Sequence, residues 1–148
     1  MDGDFKRALW LGMFSPTPVL PMSWWWEFFE NRGMMSYFKP VSEMNRMMLE
    51  AGKGKFESFA VKTNQNGVQA YAVRCGEKSF VYLYNPGENF KGIQLSGMEA
   101  PKRKARLSHF DCETRKFSSL KFSALPDKSL NIDLIEIPSK GNAILILE

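Results

Sequence analysis

From Phe56 to Glu148 the apolar residues arrive in short bursts, about 56–62, 68–75, 78–84, 90–95, 102–110, 116–122, 130–137 and 143–148, with turn-forming residues between them. Bursts this short and this closely spaced read as strands, not helices. Phe80, Tyr82 and Tyr84 alternate with Val81 and Leu83, so 78–84 is apolar on both faces. Such a strand is central and covered on both sides, and Ile144 to Leu147 behaves the same way. Asn64-Gln65-Asn66-Gly67 and Gly76-Glu77 are expected to be hairpin turns, the second short enough for a two-residue II′ turn. The pattern predicts a mainly β fold: an antiparallel β-sandwich of about 7–8 strands.

The character of the chain changes near Gly52-Lys53-Gly54-Lys55, which divides it into 1–53 and 54–148. The first part reads helix, strand, helix. Asp4 is placed to cap a helix running to about Gly12, with Phe5, Ala8, Leu9 and Trp10 on its apolar side. Ser15-Pro16-Thr17-Pro18 ends it, because each proline lacks an N–H and restricts its predecessor. The apolar stretch Val19 to Phe29 is expected to open as a buried strand, with Trp24 and Trp26 on one face and Trp25 on the other. Residues 36–51 then form a helix whose stripe is Tyr37, Val41, Met44, Met48 and Ala51, with Ser36 as cap and Gly52 as left-handed terminator.

Composition excludes several functions. No apolar run approaches the 18 or more residues of a membrane span, and Asp2, Asp4, Lys6 and Arg7 interrupt any signal-peptide core, so no membrane partner and no signal peptide are expected. Two cysteines are too few for a disulfide scaffold and one histidine for a His-based zinc site, and no metal or cofactor is expected. Residues 54–148 carry fourteen basic against ten acidic side chains, four of the fourteen in Lys102-Arg103-Lys104-Ala105-Arg106. Without base-stacking aromatics that run reads as a solvated edge, not a nucleic-acid surface.

Catalytic signatures are sparse. Gly92 and Gly97 have phosphate-loop spacing, but Met98 stands where lysine is needed. His109 alternates with Leu107 and Ala105 and is expected to point inward. Cys75 and Cys112 sit beside turns and read as two free thiols, while Asp111 and Glu113 read as parts of a turn, not a facing carboxylate pair. The segment with chemistry is Pro21 to Phe29. Three consecutive tryptophans cannot all face one core, and a Trp face covers the C–H face of a sugar ring. Trp24 and Trp26, with Glu27 as hydrogen-bond acceptor, are the candidate substrate-binding residues; no catalytic residue is assigned.

These same residues carry a resemblance. Ala8-Leu9-Trp10 followed by Phe14 to Phe29, then Asn31-Arg32-Gly33-Met34 and Tyr37-Phe38-Lys39, resembles the end of the catalytic (β/α)8 barrel in bacterial glycoside hydrolases of clan A, the family-5-like cellulases and glycosidases. In that group a β-sandwich follows the barrel. Ala70–Arg74 and Phe80–Asn85 are similar to its early strands, and Phe110-Asp111-Cys112-Glu113-Thr114-Arg115 to its aromatic-Asp-Pro-x-Thr-Gly turn. Cys112 replaces the proline and Arg115 the glycine, so a different turn shape is expected.

The resemblance implies a barrel remnant in 1–53 and a C-terminal β-sandwich domain in 54–148. It places the catalytic carboxylates on barrel strands that would precede this chain, and a sugar-floor tryptophan at Trp24 or Trp26. The chain is then a non-catalytic accessory region that stabilises the barrel, with an oligo- or polysaccharide and the remaining barrel as partners. The enzymes it resembles are usually exported. A carbohydrate-binding module using Trp24, Trp26, Tyr71 or Tyr82 is a second reading. A non-catalytic interaction protein, dimerising through a Trp and Met surface in residues 5–48, is a third.

Overall fold

A computed structural model describes residues 2–15, 26–98 and 105–148. Helix α1 (Asp2–Phe14), the short helix α2 (Trp26–Asn31), a 3-10 turn (Met34–Tyr37) and helix α3 (Phe38–Gly52) come first. The strands follow: β1 (Glu57–Phe59), β2 (Lys62–Thr63), β3 (Gln69–Cys75), β4 (Lys78–Tyr84), β5 (Phe90–Ser96), β6 (Leu107–Phe110), β7 (Phe117–Leu120), β8 (Ser123–Ala124), β9 (Leu130–Ile137) and β10 (Asn142–Leu147). They make an antiparallel six-stranded sheet, β1-β3-β4-β10-β6-β7, and a four-stranded one, β2-β5-β9-β8. The expected sandwich is present.

Two cores explain the layering. Val81, Leu83 and Leu145 pack between the sheets against Ile93, Leu95, Ile132 and Ile137. On the opposite face of the six-stranded sheet, Phe80, Tyr82, Ile144 and Ile146 pack against Leu9, Trp10 and Phe14 of α1 and Val41, Met44 and Met48 of α3. The strands that read as apolar on both faces, β4 and β10, are therefore the central pair, covered by a sheet on one side and helices on the other. The α3 stripe is the one its spacing predicts, and it lies on the sheet.

Where the chain turns corners, it departs from the sequence reading. The stretch 56–62 is divided: β1 joins the larger sheet and β2 the smaller. The stretch 116–122 crosses between sheets in the same way before β8. Asn64–Gly67 forms a turn, with Val68 N donating to Gln65 O at 3.3 Å, but it links β2 to β3 in different sheets and closes no hairpin. Pairing in 102–110 is confined to Leu107–Phe110 plus the Arg106–Glu148 backbone pair, and Lys102–Lys104 lie outside the described residues.

The termini of α3 differ as well. Ser36 does not cap it; its hydroxyl donates to Gly33 O at 2.8 Å inside the preceding 3-10 turn. The left-handed residue is Lys53 (φ 49°), one beyond Gly52. Gly52 is helical and buried, and a Cβ there would meet Cys75 at 3.2 Å, so its small size serves close packing on β3. The β3–β4 hairpin has the expected two-residue turn, with Cys75 paired to Lys78 and Gly76 at φ 61°. Beyond β4, the buried Asn85 pins two loops: its Nδ2 lies within 2.7–3.2 Å of the carbonyls of Glu88, Ile137 and Pro138. A buried amide so engaged incurs no unpaired-donor penalty.

Candidate functional site

The segment expected to carry the sugar-contacting strand is helical where it is described. Trp26 opens α2 and Glu27 lies exposed in its first turn, where a carboxylate complements the helix N-terminus. Phe29 stacks on Phe5 of α1 with ring centroids 4.7 Å apart, and Arg32 pairs with Asp2 at 3.3 Å, which ties α2 and its exit to α1. The expected alternation of Trp24 and Trp26 therefore does not extend to Trp26, because a helical turn spaces neighbours by 100°, not 180°. Trp24 and the rest of the 19–25 stretch lie outside the described residues.

Of the two sandwich aromatics expected to meet ligand, Tyr82 is unavailable. Tyr82 is 0 % exposed, sandwiched among Trp10, Phe14 and Tyr71 at centroid distances of 6.5, 5.7 and 6.4 Å. Helix α1 lies over it, so the expected use of Tyr82 in sugar stacking is overturned by burial; Tyr71 is half-buried beside it. The Trp and Met surface expected to dimerise is in part covered, and its Trp24 and Trp25 lie outside the described residues. Trp10, Met34, Met44 and Met48 are buried, Trp10, Met44 and Met48 against the sandwich, and among the described residues of this half the exposed large apolar side chains are Met35 and Leu49.

What the fold does assemble is a cleft between α1, the start of α3 and the β6–β7 turn, lined by Lys6, Trp10, Tyr37, Lys39, Glu113 and Arg115 among others. Two ion pairs cross it. Lys6 Nζ donates to both carboxylate oxygens of Glu113 at 2.9 and 2.8 Å while lying 4.4 Å from the Tyr37 ring centroid. Arg115 Nε donates to Glu43 Oε2 at 3.0 Å. Both helices thus grip one turn.

The turn owes its shape to Asp111, whose Oδ1 accepts from the amides of Glu113 and Thr114 at 2.8 and 2.9 Å. Arg115 sits at φ 60°, so the residue replacing the glycine of the resembling motif still adopts the left-handed backbone. Partial burial pulls the Asp111 carboxyl upward, but the Thr114 and Glu113 hydrogen bonds, with the nearby His109, outweigh it and hold it below 3.8. Asp111 is occupied within the turn and Glu113 by Lys6 of α1, so neither carboxylate is left as half of a catalytic pair. His109 is half-buried and shares the sandwich-facing side of β6 with Leu107; burial pushes it below 6.5, with Asp111 opposing. Both cysteines are free and buried: burial raises Cys75 to about 11 and drives Cys112 up as well, aided by Asp111 and Glu113. Neither thiol is a ready nucleophile.

Lys6, Lys39 and Arg115 do not stand out in the sequence. Each is an ordinary surface cation, and only tertiary packing brings positions 6, 39 and 115 to one cleft.

Together these features define a β-sandwich capped on one face by helices. No family model matches the chain, and no curated protein matches it. Among solved structures it is similar to a Paenibacillus sp. cycloisomaltooligosaccharide glucanotransferase complexed with cycloisomaltoheptaose, at 10% sequence identity and a TM-score of 0.45. The likeness covers 58% of this chain and spans 16% of that one.

Proposed function

We propose that this chain is a C-terminal accessory region of a glycoside hydrolase, non-catalytic in itself, whose sandwich stabilises a barrel and whose tryptophan segment contacts sugar through Trp24, Trp26 and Glu27. The observation that supports this reading is the shared core of the two halves. Trp10 and Phe14, from the segment that resembles the end of a barrel, stack on Tyr82, from a strand that resembles the following sandwich. A sandwich that serves a barrel needs this kind of continuous apolar seam, since inter-domain contacts without one leave the domains free to move. Glycoside cleavage needs two carboxyl groups placed across the scissile bond, and this reading assigns that pair to the barrel.

The test is titration of tryptophan fluorescence with neutral oligosaccharides, alongside assays on β-glucans, mannans and aryl glycosides. Trp10 is buried but lines the cleft at the β6–β7 turn, so the titration is repeated in Trp10→Phe, where saturable quenching reports on Trp24 to Trp26. The expected result is quenching by one sugar class, lost in Glu27→Gln, with no turnover. Hydrolysis abolished by Glu27→Gln, or a flat titration, overturns the proposal.

A further inference from the structure

The cleft at the β6–β7 turn has a volume of about 300 Å³, at the small end of ligand pockets and suited to a single ring. It runs into a shallower depression along α3 that shares Lys39 and Arg115 and adds Glu43 and Arg46, the latter paired with Glu50 at 3.6 Å. Its charge is lopsided, with Lys6, Lys39 and Arg115 set against Glu113. Two of these cations have capacity to spare. Arg115 uses only its Nε on Glu43, leaving the outer guanidinium N–H groups. Lys39 is exposed and has no hydrogen-bond or ion-pair partner among the described residues. The wall beside them is aromatic, formed by Tyr37 and the rim of Trp10.

We propose that this cleft binds an acidic sugar unit, a hexose ring bearing a carboxylate or a sulfate. The anion lies between Lys39 and Arg115, and the ring lies along Tyr37 and Trp10. The anionic group follows from the cleft alone; the choice of a sugar to carry it rests on the carbohydrate reading above. A planar guanidinium beside an ammonium suits a two-oxygen anion, whereas a neutral sugar accepts hydrogen bonds from them but gains no charge pairing. Because the cations are near the surface, affinity is modest and falls with salt. Glu113 acts as an internal competitor: it occupies Lys6, which would otherwise be a third cation facing the ligand.

The full chain, titrated with glucuronate, glucose 6-sulfate, glucose and inorganic sulfate while its amide NMR spectrum is followed, tests this. Glucuronate and glucose 6-sulfate are expected to shift residues 36–40 and 112–115 saturably, and glucose to shift neither. Lys39→Gln should weaken binding roughly fivefold, the effect of one partly screened ion pair. Glu113→Gln should tighten it about two- to threefold by releasing Lys6. Lys39 is exposed, so its loss leaves the fold intact. Glu27→Gln should leave this response unchanged while removing the neutral-oligosaccharide response, so the two proposals fail separately. Equal shifts with glucose, an unchanged affinity in Lys39→Gln, or inorganic sulfate matching glucose 6-sulfate each overturn the assignment.

Discussion

Replacing Gly76 by alanine tests how tightly the helical cap is locked to the sandwich. Gly76 is the first turn residue of the β3–β4 hairpin, at φ 61°, and a Cβ built there lies 2.4 Å from the carbonyl oxygen of Ala51. Real Cβ contacts essentially never fall below 3.0 Å, and the atom in the way is backbone near the end of α3, not a side chain that can swing aside. Two penalties therefore add. The left-handed backbone costs an L-residue about 1 kcal/mol. Forcing α3 and the hairpin apart costs about 1–3 kcal/mol more, the range for overpacked sites.

Gly54 separates the two penalties. It too has a positive φ, 80°, but nothing lies within 4 Å of its Cβ position, so Gly54→Ala carries the backbone cost alone. Urea unfolding of the full chain should show Gly54→Ala down by about 1 kcal/mol and Gly76→Ala by about 2–4 kcal/mol. The second loss corresponds to a fall in Tm of roughly 6–12 °C for a chain of this size. Equal losses for the two variants would refute the reasoning, because they would show that α3 does not press on the hairpin.

Other perturbations read other parts of the structure. Among the described residues the Tyr82 hydroxyl is buried without a hydrogen-bond partner, so Tyr82→Phe should stabilise the chain by about 1 kcal/mol in the same urea assay, and a loss would show that the hydroxyl is satisfied. His109 is held below 6.5 when folded, so its contribution to stability is complete above that pH and is lost as pH falls toward its folded value. Wild-type Tm should fall between pH 7 and pH 5, and His109→Gln should flatten that slope. Asp111, held below 3.8, contributes stability above that pH and loses it on further acidification; Asp111→Asn should flatten the steeper fall below pH 4.

The parts of the fold that are legible in sequence are those where one physical rule acts alone. In β4 and β9 the apolar pattern sets both ends of the strand, and in α3 the 4-3-4-3 spacing selects the buried stripe. Legibility fails where two rules compete. Around Ala60 and Lys121 the residues remain compatible with a strand while the chain moves from one sheet to the other, a change that only the packing of the two layers decides. Trp26 to Phe29 is bulky and apolar enough for either a strand or a helix, and the stacking of Phe29 on Phe5 rewards the helix. The cleft is illegible for a simpler reason: its cations sit on three elements distant in sequence, and nothing local marks them as neighbours.

The change of character near residue 53 suggests cutting the chain there, and the layering predicts what such a cut would do. Without 1–53, the outer face of the six-stranded sheet loses its cover. Val73, Phe80, Tyr82, Ile144 and Ile146, now between 0 and 3 % exposed, would face water together. At about 1.5–3 kcal/mol for each large side chain, the loss is on the order of 10 kcal/mol. That equals the entire stability of an ordinary domain, about 5–15 kcal/mol. The fragment 54–148 is therefore expected to lack a cooperative thermal transition, to bind a hydrophobic dye and to self-associate. Adding back a peptide of residues 1–53 should restore the transition, because the apolar stripes of α1 and α3 fit that face. A monomeric 54–148 that melts cooperatively within a few degrees of the whole chain would refute this, and would make the helices a dispensable cover instead of one side of the core.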